Sequence, residues 1–117
     1  MATTRKTVQY TSGGLQKINV TKTRTVTGNS GQLSTLTITQ AGEIEYTFPT
    51  DVGDAHELVI ENKDATNFIK LGFATGLYVI WIYPNDAVAI NVDPTEASVF
   101  MIADTADCEA LVVVDEE

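Results

Sequence analysis

The 117-residue chain has one cysteine, one histidine, three prolines and no acidic residue before position 43. The lone cysteine, Cys108, excludes an intrachain disulfide, and a chain of this length has no need of one. Assembly in a reducing compartment is therefore the simplest expectation. The lone histidine, His56, has no serine or cysteine beside it in a nucleophile context such as G-x-S-x-G. A surface-loop histidine is expected rather than a catalytic one. There is no Walker loop, no dinucleotide glycine pattern and no Cys/His set for zinc, so no catalytic residue, no metal ligand and no cofactor is assigned. No run approaches the roughly 18 apolar residues of a membrane helix. The opening MATTRKTVQYTSGG carries a basic pair with no apolar run behind it, so a signal peptide is not expected. No stretch has convincing helical periodicity.

What is present is strand chemistry. From residue 33 onward, short β-prone runs recur with turn signals between them, the spacing of an antiparallel sandwich or barrel. Eight are expected: 33–39, 43–48, 57–62, 67–73, 77–83, 87–92, 98–103 and 108–114. Pro49, Pro84 and Pro94 all fall between runs, where a missing N–H costs no ladder bond. PND at 84–86 and DPTEA at 93–97 read as tight turns. The expectation is one all-β domain, an eight-stranded antiparallel β-sandwich over residues 33–117, preceded by an extended arm over residues 1–32.

Alternation sorts the faces. Ile44, Tyr46 and Phe48 oppose Glu43, Glu45 and Thr47; Leu58 and Ile60 oppose Glu57, Val59 and Glu61; Val88, Ile90 and Val92 oppose Ala87, Ala89 and Asn91. LYVIWIY differs, because Leu77, Val79, Trp81 and Tyr83 form one apolar face while Tyr78, Ile80 and Ile82 form another. A sandwich covers only one of them. The other needs a partner chain, a ligand or a covering segment, and an aromatic such as Trp81 is worth a few kcal/mol when buried. Leu77, Val79, Trp81 and Tyr83 are therefore the expected homo-oligomer interface.

Charge divides the chain. Residues 1–42 hold Arg5, Lys6, Lys17, Lys22 and Arg24 for +5, whereas residues 43–117 sum to −14, for a net −9. An arm and a body with separate tasks are the expectation. In TKTRTVTG, residues 21–28, threonine takes every other place and neither face is apolar enough for a core. The arm holds too few large apolar residues to offset backbone ordering of about 1–2 kcal/mol per residue. Backbone ladder bonds must come from elsewhere, and strand addition to a partner's sheet edge is the expected source. The five cations would steer that docking, since exposed ion pairs give only about 0–1 kcal/mol each.

Other features weigh less. Asp51, Asp54 and Glu57, and again Asp104, Asp107 and Glu109, are acidic sets without the calcium-loop pattern, read as solvated turn charges. Cys108 alternates with Ala110, Val112 and Val114 and reads as a small core residue. Nucleic acid is disfavoured as a partner, because the −14 body repels phosphate and the arm offers only Tyr10 for stacking. A membrane partner is likewise not expected. Carbohydrate binding is the rival reading, with Tyr78, Trp81 or Tyr83 stacking on sugars.

Residues 57–117 carry a strand ending in Asn62, a polar turn, NFIKLGF, then Gly76 and an apolar strand. A proline turn, a second apolar strand and a closing pair ending in acids complete the layout. It resembles the small jelly-roll decoration or cement proteins of tailed-bacteriophage heads. The resemblance implies a jelly-roll-like, often trimeric, non-enzymatic virion protein, assembled in the host cytoplasm and seated on the capsid surface. There it would brace contacts between major capsid protein subunits. Tail or baseplate placement is the alternative within the same fold.

Overall fold

The computed structural model describes residues 2–12, 16–26, 32–49 and 55–116. Among them there is no helix; ten strands form three antiparallel sheets. All eight strands expected after residue 32 are present. They are β3 (Gln32–Ile38), β4 (Ile44–Thr47), β5 (Ala55–Asn62), β6 (Ile69–Gly72), β7 (Ile80–Ile82), β8 (Ala87–Asn91), β9 (Ser98–Ala103) and β10 (Cys108–Glu116). One four-stranded sheet runs β3-β10-β5-β8 and the other β4-β9-β6-β7, and together they make a β-sandwich-like body.

The core follows from period-2 alternation. Ile38, Leu58, Ile60, Ala110, Val112 and Val114 come from the first sheet, and Ile69, Leu71, Ile82, Val99, Met101 and Ala103 from the second; all are buried in one cluster. Each large aliphatic side chain fully buried this way contributes about 1.5–3 kcal/mol. Cys108 is buried in the same cluster, as its alternation required. Burial first, then the Asp64, Asp104 and Asp107 charges, pushes its thiol up to about 11. At neutral pH it is a protonated packing residue and not a nucleophile.

The turns obey local chemistry. Asp86 N–H donates to Tyr83 O at 3.1 Å across the 83–86 turn, with Pro84 second and Asn85 third at φ 59°. Asn tolerates that left-handed conformation better than most residues. Glu96 N–H closes the 93–96 turn on Asp93 O at 2.9 Å, with Pro94 second.

The leading segment departs from expectation. Instead of one extended arm awaiting another chain's edge, β1 (Ala2–Ser12) and β2 (Gln16–Val26) pair with each other, from Ala2 opposite Val26 to Ser12 opposite Gln16. The missing ladder bonds are supplied within the chain. A fold-back needs only two long runs of equal length, and Gly13 and Gly14 fall between them. Among the described residues this hairpin is a sheet of its own, with no ladder to the body. The molecule measures 43 × 40 × 22 Å, and its 14.8 Å radius of gyration exceeds the roughly 13 Å of a compact chain this long.

Candidate interaction surfaces

The outer face of β7 and the residues before it make the first surface. Cross-strand pairing sets Ile69 against Ile82, Lys70 against Trp81 and Leu71 against Ile80, which turns Ile80 and Ile82 inward and Trp81 outward. Leu77, Val79, Trp81 and Tyr83 are 66, 77, 48 and 57% exposed, so the four residues expected at an oligomer interface form an open apolar strip on the single chain. Phe68, not singled out from sequence, stacks on Trp81 with ring centroids 4.7 Å apart and planes 8° apart. The Lys70 ammonium lies 5.8 Å from the centre of the Tyr78 ring and 5.9 Å from that of Trp81. Such cation–π contacts fix a flexible lysine against the strip.

Both ends of the strip are anchored. At the first, Leu77 N–H donates to Ala74 O at 3.1 Å, closing a turn whose third residue, Gly76, has φ +73°. Gly72 allows this turn to fold back, because a Cβ there would stand 1.8 Å from the Leu77 carbonyl oxygen. The Glu43 carboxylate accepts from Tyr78 O–H at 2.5 Å and from Gly76 N–H at 2.9 Å. The Tyr78 bond first, then the Gly76 bond, hold Glu43 below the usual carboxylate range, and the same carboxylate raises the Tyr78 phenol.

At the second end stands Asn62, buried at the close of β5. Its amide nitrogen donates to the Asn67, Ile82 and Tyr83 carbonyls at 2.8, 3.1 and 3.3 Å, and its oxygen accepts from Asp64 N–H at 2.9 Å. Asp64 in turn accepts from the Asn67 and Thr66 backbones at 2.6 and 2.9 Å, which lowers its pKa, with the Asn67 bond the larger cause. A signal for Asn62 existed in the sequence: Leu58, Ile60 and Asn62 share one parity, and that parity faces the core.

The second surface lies where the hairpin meets the outer face of β5, β10 and β8. Lys6 forms an ion pair with Glu57 and donates to Asn91 Oδ1 at 3.4 Å. Glu57 was expected to be a solvated turn charge; it is instead a buried strand residue, as is Asp115 beside it. Its partner lies 51 positions earlier, a pairing no local pattern discloses. A cleft of about 340 Å³ remains between the layers, lined by Arg5, Lys6, Glu57, Val59, Val113 and Asp115 among others. Lys22 stands directly opposite Lys6 in the hairpin register. Like charges so placed repel, and an acidic surface below relieves that repulsion. The backbones of Lys17 and Arg24 lie in β2, and their side chains fall outside the described residues.

Val8 opposite Val20 and Tyr10 opposite Ile18 share the Lys6 face of the hairpin, and all four are exposed.

Several candidates resolve differently from their sequence reading. His56 belongs to β5 and not to a loop, with its side chain outside the described residues. Asp51 and Asp54 also lie outside them. Asp107 accepts from Gln40 N–H at 2.9 Å and Glu109 from Thr37 Oγ1 at 2.7 Å, so these acids of the second set are tied to β3 and the residues after it. Among the described residues no group of three or more His, Cys, Asp or Glu side chains is arranged to hold a metal ion, and no helix is long and apolar enough to cross a membrane.

The fold and these surfaces define an all-β, β-sandwich-like protein carrying a separate basic hairpin. No protein-family model matches the chain, and no curated protein matches it.

Proposed function

We propose that this chain is a non-enzymatic structural protein of a virion: a decoration or cement protein that sits on the outside of a phage capsid and braces neighbouring major capsid protein subunits. The observation that carries this reading is the strand order, β3-β10-β5-β8 facing β4-β9-β6-β7. β10 separates β3 from β5 and β9 separates β4 from β6, and we read this order as the double Greek key of a jelly roll. A jelly roll is also the fold that the resemblance of residues 57–117 implies. The open Leu77–Val79–Trp81–Tyr83 strip supplies an interface for a homo-oligomer, a trimer in this reading. The basic hairpin, with Arg5, Lys6, Lys17, Lys22 and Arg24, supplies a contact for an acidic shell. Neither nucleic acid nor membrane is a partner in this scheme, and assembly takes place in the host cytoplasm.

Binding of the purified protein to empty shells, read by co-sedimentation, tests it. The full chain is expected to saturate at a fixed ratio to capsid subunits, and a chain lacking residues 1–31 to bind more weakly. Equal binding by both would remove the hairpin from the anchoring role, and no binding by either would remove the proposal.

Carbohydrate binding is the second reading, favoured by the exposure of Trp81 and Tyr83. Phe68 stacks on the indole and the Lys70 ammonium lies over the same ring, so a sugar would share Trp81 with both and would find Tyr83 more open. Glycan titration followed by Trp81 fluorescence separates the two readings.

A further inference from the structure

The hairpin and the surface under it are complementary in charge, and among the described residues they are not joined by strand pairing. Lys6 reaches the body through its ion pair with Glu57 and its hydrogen bond to Asn91, beside a cleft of about 340 Å³ lined by Arg5, Glu57 and Asp115. The joining sequence, TGNSG at residues 27–31, holds two glycines and no large apolar residue.

From this we infer that the acidic outer face of β5, β10 and β8 is a docking site for the β1–β2 hairpin of a second copy, so that copies exchange hairpins when they associate. Lys6 of one chain then pairs with Glu57 of its neighbour, and every contact of the closed chain is re-formed between chains. Exchange of an identical element is a low-cost route to association, because the open and closed forms share the same interface. Charge selects this occupant. A segment of +5 and a remainder of −14 make two copies mutually attractive in this orientation, although both carry −9. The inference stands independently of the capsid reading, since its test contains no shell.

The test mixes two charge-reversed chains, Lys6→Glu and Glu57→Lys. In each alone the hairpin meets a like charge, whether in its own copy or in an identical one. Mixed, each hairpin finds an opposite charge only on the other variant's body. Size-exclusion chromatography with light scattering is expected to show the mixture as a hetero-oligomer with the two variants in 1:1 ratio and larger than either variant alone. A mixture that remains the sum of its components overturns the proposal and leaves the surface to the chain's own hairpin or to a different acidic partner.

Should either reversal impair folding, a milder pair decides. Lys6→Cys and Glu57→Cys chains, each with a different tag, are mixed and treated with a short bismaleimide, Cys108 being buried. Cross-linking between the two tags, in excess over links within either tag, is the expected result; its absence contradicts hairpin exchange.

Discussion

The body and the hairpin are both antiparallel β-structure, and they are held by different forces. In the body, each central strand has one face in a shared core: β10 lies between β3 and β5 and buries Cys108, Ala110, Val112 and Val114. In the hairpin, eleven-residue strands pair along their whole length, and among the described side chains the large apolar ones, Val8, Tyr10, Ile18 and Val20, are exposed. A two-stranded hairpin in water is marginally stable at best. Ladder hydrogen bonds alone thus give an element its shape, whereas burial gives it independence. The hairpin is shaped for contact and depends on contact for its stability.

The widest separation between the two regions is expected from matched truncations. Ile60→Ala removes a fully buried side chain and is expected to cost about 2–5 kcal/mol in urea unfolding. Val8→Ala is expected to stay within about 0.5 kcal/mol. A comparable loss from Val8→Ala would show that the hairpin shares the body's cooperative unit.

Next in size is Gly72→Ala. The new methyl would collide with the Leu77 carbonyl, so the 74–77 turn must move, at about 1–3 kcal/mol. A shift in Trp81 emission should accompany the loss, because the strip begins at that turn. Asn62→Ala leaves the Asn67 and Ile82 carbonyls without their amide donor. Unfolding free energy is expected to fall by about 1–3 kcal/mol, again in the body alone.

The smallest effect is one of pH. Asp64 and Asp93, ordinarily 3.8, and Glu43, ordinarily 4.5, are each held low in the folded chain by hydrogen bonds. A depressed folded pKa means that the stabilisation is present above the unfolded value and disappears as pH falls through the folded one. Melting scans from about pH 6 to about pH 2 should therefore show the body weakening only below the ordinary carboxylate range. Asp64→Asn should flatten part of that decline; an unchanged profile would remove Asp64 from it.

Much of the body was legible in the sequence, because its strands alternate strongly and its prolines mark the gaps. The parity of Ile44, Tyr46 and Phe48, and of Val88, Ile90 and Val92, reads directly onto the burial seen. Edges were less clear: 77–79 alternates like strand, yet β7 begins only at Ile80, because the Ala74–Leu77 turn occupies the preceding residues. The hairpin was misjudged because threonine alternation has no apolar side to show where a strand packs, and pairing through backbone alone leaves no side-chain signature. Glu57 was misjudged for a related reason, since its burial depends on Lys6, far away in sequence. Of the candidate surfaces, the apolar strip was visible residue by residue. Its supports, Glu43, Asn62, Phe68 and Lys70, act through tertiary contacts.

The most direct measurement of this contrast is amide hydrogen exchange of the intact protein, resolved by strand. Amides of β5 and β10 are expected to exchange together and only on global unfolding, while those of β1 and β2 exchange much faster and slow as protein concentration rises and copies associate. Uniform protection across β1, β2, β5 and β10 at every concentration would contradict the account, because the hairpin would then be an integral part of one self-sufficient fold.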